Sequence, residues 1–164
     1  SVENIALLFL INAAANVYLA PKIGRLIGIW GERRALVFEY AGLILVFVAY
    51  AVVENGAVAA GLYVIDHLFF ALAIAIKTYF QKIADAGDIA SSAGVGFTIS
   101  HIAAVFIPVV FGLVWLVSPA AVFLSGAVMA GLSLLLALNV PRRPEPGNEA
   151  VWEGFSRPPV EPAA

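Results

Sequence analysis

The sequence has no cysteine and few charged residues, and each shortage excludes a class of protein. Without cysteine there is no disulfide framework, no thiolate metal site and no thiol redox motif. Charged residues make up only 12% of the chain, whereas they are about a quarter of an average soluble domain. This number of charged residues is too small to cover the surface of a globular domain. We therefore expect the chain to be surrounded by lipid.

Motifs for catalysis and targeting are also missing. The sequence contains no H-E-x-x-H metal motif, no G-x-S-x-G nucleophile motif and no phosphate-cradling glycine loop. We therefore expect no enzyme activity, no metal site and no cofactor, and the few basic residues argue against nucleic-acid binding. Residues 1–4 have neither a basic stretch nor a small-residue cleavage site, so they do not resemble a signal peptide.

Long apolar runs make up most of the chain. Hydrophobic residues account for 62% of it, and the mean hydropathy is +0.97. A helix needs about 20 mostly apolar residues to cross a bilayer. Five segments reach this length, at approximately residues 4–20, 35–53, 57–80, 95–117 and 119–140. The sequence therefore predicts an all-α, polytopic membrane helix bundle over residues 1–140.

The basic residues predict how this bundle is oriented. With five spans, all nine of them fall on one side of the membrane. They are Lys22, Arg25, Arg33, Arg34, Lys77, Lys82, Arg142, Arg143 and Arg157. Cytoplasmic loops carry an excess of Lys and Arg. We therefore expect a multi-pass protein of the cytoplasmic (inner) membrane, with its N-terminus outside and its C-terminus in the cytoplasm.

The last 24 residues differ in composition from the rest. Six prolines interrupt charged and small residues over 141–164. Proline removes a helix hydrogen bond, and a segment with little apolar surface cannot offset the entropy of folding. The composition predicts a disordered cytoplasmic tail.

A short basic segment, Pro21–Arg34, connects the first two predicted spans and holds four of the nine basic residues. It resembles the cytoplasmic loop motif of the major facilitator superfamily: glycine, three residues, aspartate, a base, one residue, glycine, then bases. The matching residues are Gly24, Gly31 and Arg33, with Arg34 extending the basic end. Gly28 and Ile29 depart from the motif, as is usual for its C-terminal copy. The alternative is a plain tight turn whose bases contact anionic headgroups.

This resemblance covers residues 4–143 and implies helices eight to twelve of a twelve-helix transporter fold. Transporters of this kind are built from bundles of three helices, and five spans are one short of two bundles. We therefore expect the C-terminal part of a secondary active transporter that moves a small solute by alternating access, with proton coupling left open. The expected partners are membrane lipid, a small-molecule substrate and an N-terminal half. The alternative is a non-transporting membrane scaffold or partner subunit.

Polar side chains inside the spans mark the candidate site. An ionisable group costs roughly 2.5–3.5 kcal/mol to insert, so such groups indicate function. The candidates are Asn12 and Asn16 in the first span, Asp66, His67 and Lys77 in the third, and Ser100 and His101 in the fourth. Spans one, three and four are therefore expected to face an interior cavity, and spans two and five to face lipid.

Within the third span, Asp66 and Lys77 are predicted to share a face and to lie about 16 Å apart. Asp66 is the best candidate for a carboxylate coupled to protons or substrate, although pairing with another helix would also explain it. His67 is a candidate proton relay or a packing residue. Lys77 either attracts an anionic substrate or snorkels to the interface. Glu39, in the second span, is expected to pair with Arg33, Arg34 or Lys82.

The remaining candidates are equally open to a structural explanation. Asn12, Asn16, Ser100 and His101 either line the cavity or form hydrogen bonds between helices. In the fourth span, Pro108 removes a helix hydrogen bond, and Gly112 follows one turn later. These two residues predict a bend, which serves either as a hinge for alternating access or as a static kink.

Overall fold

The computed structural model describes residues 2–152, and within them it is entirely helical apart from turns and one isolated bridge. The helices are α1 (Val2–Trp30), α2 (Glu32–Val52), α3 (Gly56–Phe70), α4 (Ile74–Ile83), α5 (Ile89–Val117) and α6 (Pro119–Asn139). A 3₁₀ turn, Ala71–Ala73, joins α3 to α4. Counting α3 to α4 as one segment, five helical segments are long and apolar enough to cross a membrane, which confirms the predicted class.

The connection between the first two spans is far shorter than the sequence predicts. Instead of a loop over 21–34, α1 continues through Pro21 to Trp30, and Gly31 alone separates it from α2. Gly31 adopts a φ of 82°, which an L side chain rarely tolerates. The extension is held by tertiary packing, because Ile23 and Ile27, four residues apart on one face, are both buried.

The starts of α3 and α6 lie within one residue of the predicted spans, and each has a side-chain cap. Asn55 accepts hydrogen bonds from the backbone N–H groups of Ala57 (2.8 Å) and Val58 (3.4 Å), so it caps α3. Ser118 caps α6 by accepting from Ala121 N–H, and Pro119 is the first residue of that helix, as predicted. The fourth span begins at Ile89, six residues earlier than predicted, and runs unbroken to Val117.

Helix α2 is the centre of the bundle, which contradicts the expectation that it faces lipid. It packs along α6 and also contacts α1, α3 and α4. Small residues allow this close approach: Ala35 in α2 and Ala75 in α4 are completely buried, and Gly42 lies directly against the ring of Phe69. Small side chains let membrane helices approach each other closely. By contrast, α5 packs mainly against α6, and none of its residues is buried.

The core lies at the end of the bundle where the basic residues gather. The C-terminal part of α1, the start of α2, the 3₁₀ turn with α4, and the end of α6 meet there. The buried cluster consists of Ile23, Ile27, Ala35, Leu36, Leu72, Ala75, Ala137 and Val140. Most other large apolar side chains are exposed along the helices, as expected for groups whose solvent is lipid.

The predicted tail is folded where the structure describes it. Residues 141–152 form a turn that returns to the bundle. Val151 N–H donates to Asn139 O (2.8 Å), Trp152 N–H donates to Asn139 Oδ1 (2.9 Å), and the Tyr79 hydroxyl donates to Glu149 O. Composition alone predicts disorder here, but the polar end of α6 and the Tyr79 hydroxyl supply hydrogen-bond partners for this part of the chain. The rest of the predicted tail, 153–164, lies outside the described residues.

Candidate functional site

Two adjoining cavities between α1 and the third span form the candidate site, which we call the polar cleft. Their volumes are about 180 Å³ and about 370 Å³, and both are lined by Asn16, His67 and Ala71. Asn12 lines the first cavity and Lys77 the second. The fold thus brings together four residues that the sequence marks as candidates.

The 3₁₀ turn decides which residue of the third span joins Lys77 on this cleft. An α-helix rotates by about 100° per residue and a 3₁₀ helix by about 120°. Three of the ten residue-to-residue steps from His67 to Lys77 lie in the 3₁₀ turn Ala71–Ala73. The total rotation between these two side chains is therefore only about 20° less than three full turns. The rotation over the eleven steps from Asp66 to Lys77 is about 80° more than three full turns. His67 therefore replaces Asp66 on the face of Lys77, and the shared face predicted for Asp66 and Lys77 was wrong.

Asn12 and Asn16 bring two amides to the opposite wall. They are four residues apart on α1 and so share one face. Asn12 is only 6% exposed, and its Nδ2 has no hydrogen-bond partner among the described residues. A buried donor left without an acceptor costs about 1–3 kcal/mol. The cleft therefore contains an amide donor that a bound acceptor would satisfy.

His67 is oriented by its own helix. Its Nδ1 lies 3.0 Å from Tyr63 O, one turn earlier. A carbonyl oxygen only accepts, so Nδ1 donates, and Nε2 is left as the acceptor in the neutral ring. Asp66 Oδ2 is 3.8 Å from the same Nδ1, which is beyond hydrogen-bond distance and indicates an electrostatic contact only.

Asp66 lies behind the cleft rather than on its wall. Its side chain is 15% exposed, and its Oδ1 has no hydrogen-bond partner among the described residues. The same holds for the buried hydroxyl of Tyr63, whose ring packs on that of His67 with the centroids 4.2 Å apart. Tyr63 is not among the candidates that the sequence marks. Its spacing of four residues before His67 was the signal that would have found it.

A further cavity, of about 620 Å³, lies between α4 and α5 and continues from Lys77. Ser100 and Gln81 line it together with Lys77. His101 is exposed on α5, where its Nδ1 lies 2.9 Å from Phe97 O. Pro108 and Gly112 both lie inside the continuous α5, and the bend predicted there stays a prediction. The third span is interrupted by the 3₁₀ turn at Ala71–Ala73.

The charged residues at the basic end pair differently from the expectation. Lys82 Nζ lies 2.6 Å from Oε1 of Glu32, whose side chain is 3% exposed. Glu39 is 1% exposed, its Oε2 has no hydrogen-bond partner, and the described residues give it no ion pair. The predicted pairing of Glu39 with Arg33, Arg34 or Lys82 was therefore wrong, because Glu32 lies closer to the helix end and takes Lys82.

The loop-motif residues divide between two environments. Gly24 lies inside α1, with open space where a side chain would be. Gly31, Arg33 and Arg34 line a cavity at the basic end together with Arg142 from the residues after α6. Arg33 and Arg142, which the predicted topology puts on one side of the membrane, thus lie at the same end of the bundle.

The described residues contain no group of three His, Asp or Glu side chains that could hold a metal ion. The polar cleft instead offers amide groups, an imidazole and an ammonium group for binding a polar solute. Comparison of the chain with protein-family models, curated proteins and solved structures finds no match. Any functional assignment therefore depends on the residues and their arrangement.

Proposed function

We propose that this chain is the C-terminal part of a secondary active transporter of the major facilitator type, which moves a small polar solute across the cytoplasmic membrane by alternating access. One observation carries the proposal: Asn12, Asn16, His67 and Lys77 line a single cleft between two spans. Each ionisable group inserted into a membrane costs roughly 2.5–3.5 kcal/mol. Ionisable groups are therefore expected in a span where they face water and a polar solute instead of lipid.

The chemistry of the cleft indicates an anionic solute. Lys77 supplies the positive charge, and Asn12 supplies a buried amide donor without a protein partner. Both groups donate hydrogen bonds, and an anion accepts them. Proton coupling belongs to the proposal through His67, which holds one ring nitrogen on Tyr63 O and leaves Nε2 for proton exchange.

Thiol labelling tests whether water fills the cleft. The chain has no cysteine, so a single introduced thiol reports without background. In Asn16→Cys and Lys77→Cys, a charged, membrane-impermeant methanethiosulfonate reagent is expected to react at least about tenfold faster than in Leu45→Cys, because only a hydrated thiol ionises. Leu45 is the matched control, since it is 72% exposed on α2 and faces lipid. Equal, slow labelling at all three positions would show that water does not fill the polar cleft and would contradict the proposed transport path.

Transport itself is measured in proteoliposomes that contain the complete protein. Uptake of succinate and glycerol 3-phosphate is compared with uptake of lactose as the uncharged solute. Lys77→Gln is expected to lower uptake of the transported anion at least about tenfold, because it removes the cation of the cleft. Unchanged anion uptake in Lys77→Gln would contradict the role of Lys77.

A second candidate function is a non-transporting scaffold or partner subunit, and α5 favours it. No residue of α5 is buried, yet its N-terminal half presents Ser100 and His101 among exposed positions. Polar side chains on an unpacked span favour a partner helix, since interhelical hydrogen bonds satisfy them. Lack of uptake, combined with slow labelling of Asn16→Cys and Lys77→Cys, would favour the scaffold over the transporter.

A further inference from the structure

A separate cavity of about 530 Å³ lies at the basic end of the bundle, between α2 and α6. We call it the arginine pocket. Its lining consists of Trp30, Gly31, Arg33, Arg34, Val37, Phe38, Ala41, Leu138 and Arg142. The transport proposal makes no use of this pocket, because the polar cleft lies between α1 and the third span.

The fold assembles the pocket from two distant parts of the chain. The positive φ of Gly31 ends α1 and starts α2 at once, so Arg33 and Arg34 follow directly. Helix α6 packs along α2, and a Cβ on Gly31 would lie 4.0 Å from Arg142 O. Two adjacent arginines, Arg33 and Arg34, and a third more than 100 residues later in the sequence therefore line one cavity.

No acidic residue among residues 2–152 balances the positive charge of the pocket. None of the lining residues is acidic. The adjacent acid, Glu32, is buried and paired with Lys82 at 2.6 Å, so it does not neutralise the arginines. Among residues 2–152, Arg33, Arg34 and Arg142 form no ion pair. A guanidinium presents planar paired donors, which match the oxygens of a phosphate.

The other wall of the pocket is apolar and runs into the span. Val37, Phe38 and Ala41 follow α2 inward, and Leu138 faces them from α6. Ala41 lies about 12 Å along α2 from Arg33, since each residue adds about 1.5 Å. Trp30 stands beside the arginines and packs edge-on against Phe38, with ring centroids 5.8 Å apart. Tryptophan is enriched at the level of lipid headgroups.

We propose that the arginine pocket binds an anionic glycerophospholipid, with the phosphate on Arg33, Arg34 and Arg142. The first carbons of an acyl chain lie along the apolar wall of α2 and Leu138. A free anion would use the arginines but not that wall, which is why the pocket fits a lipid. Basic pockets between membrane helices are suited to anionic headgroups. The assignment stands whether or not the protein transports a solute.

Quenching of Trp30 fluorescence tests the site directly. The chain has three tryptophans, so Trp115→Phe and Trp152→Phe leave Trp30 as the only one. The chain is placed in phosphatidylcholine vesicles in which a small fraction of lipid carries brominated acyl chains, either as phosphatidylglycerol or as phosphatidylcholine. Brominated phosphatidylglycerol is expected to quench Trp30 with at least about fivefold higher apparent affinity, because basic side chains attract anionic headgroups.

Single substitutions locate the effect. Arg34→Gln and Arg142→Gln are each expected to weaken the phosphatidylglycerol preference about fivefold. Both residues are exposed, so neither change disturbs the core, and helix content by circular dichroism confirms folding. Arg143→Gln is the matched control, because Arg143 is adjacent but does not line the pocket. It is expected to keep the preference.

Three results would overturn the proposal. The first is equal quenching by the two brominated lipids. The second is an Arg143→Gln loss as large as that of Arg142→Gln, which would indicate diffuse surface charge. The third is loss of the phosphatidylglycerol preference when inorganic phosphate replaces chloride at constant ionic strength, which would make the pocket a site for a free anion.

Discussion

The contact between Gly42 of α2 and Phe69 of α3 gives the sharpest test of the packing. A methyl group on Gly42 would overlap Cε1 and Cζ of the Phe69 ring and lie 2.6 Å from Cδ1. Carbon atoms in contact stand about 3.5–4.0 Å apart, so the ring must move in Gly42→Ala. That movement also disturbs the Phe69–Phe38 pair, whose ring centroids are 5.5 Å apart.

The expected magnitude follows from two opposing effects. Overpacking a filled site costs about 1–3 kcal/mol. Replacing a helical glycine by alanine returns about 0.5–1 kcal/mol of helix propensity. Gly42→Ala is therefore expected to lower the free energy of unfolding by about 1 kcal/mol, and by about 2.5 kcal/mol at most. Gly131→Ala in α6 is the matched control, because nothing lies within 4 Å of its Cβ position, and it is expected to be neutral or slightly stabilising.

The assay is unfolding of the chain in mixed micelles by sodium dodecyl sulfate, followed by the helical circular dichroism signal. In a double-mutant cycle, Phe69→Leu is expected to relieve the Gly42→Ala penalty, with a coupling free energy of about 1 kcal/mol. If Gly42→Ala were as stable as Gly131→Ala, the close approach of α2 to α3 would be refuted.

Three further substitutions test the basic end, a helix cap and the coupling hypothesis. Lys82→Met leaves the buried Glu32 carboxylate without its partner and is expected to destabilise by about 1–3 kcal/mol in the same unfolding assay, whereas Lys82→Arg keeps most of the stability. Asn55→Ala removes the acceptor for two backbone N–H groups at the start of α3 and is expected to cost about 1 kcal/mol; an unchanged midpoint would contradict the cap. His67→Gln is expected to abolish the pH dependence of uptake by the complete protein, because proton exchange is assigned to Nε2 of His67; a retained pH profile would remove His67 from proton coupling.

The interior of the candidate site shows how far local patterns extend. The sequence marks Asn12 and Asn16 as one face, and the structure keeps them together because that part of α1 is a regular helix. It also predicts Asp66 on the face of Lys77, and here the pattern fails. The reason is the 3₁₀ turn at Ala71–Ala73, which contains no proline or glycine from which it could be predicted. The turn adds a rotation of about 60° about the helix axis, which brings His67 instead of Asp66 to the face of Lys77.

The prediction of a loop after α1 also failed, because tertiary packing outweighed the local preference. Proline, three glycines and basic residues between 21 and 34 are typical of a loop. The structure keeps most of this segment helical because Ile23 and Ile27 enter the core. Local preference for a turn is weaker than burial of two apolar side chains, each of which contributes about 1.5–3 kcal/mol when fully buried.

The sequence by itself determined that the chain is an all-helical membrane protein with five spans, because span length and hydropathy depend on bilayer thickness and on little else. It also determined that the last span begins at Pro119, because proline suits the first turn of a helix. Only the tertiary structure decided that α2 is central, that Glu32 takes Lys82, and that Arg33, Arg34 and Arg142 share a pocket. These depend on which helix faces meet, and in lipid an apolar helix surface carries no signal that separates a packed face from a solvated one.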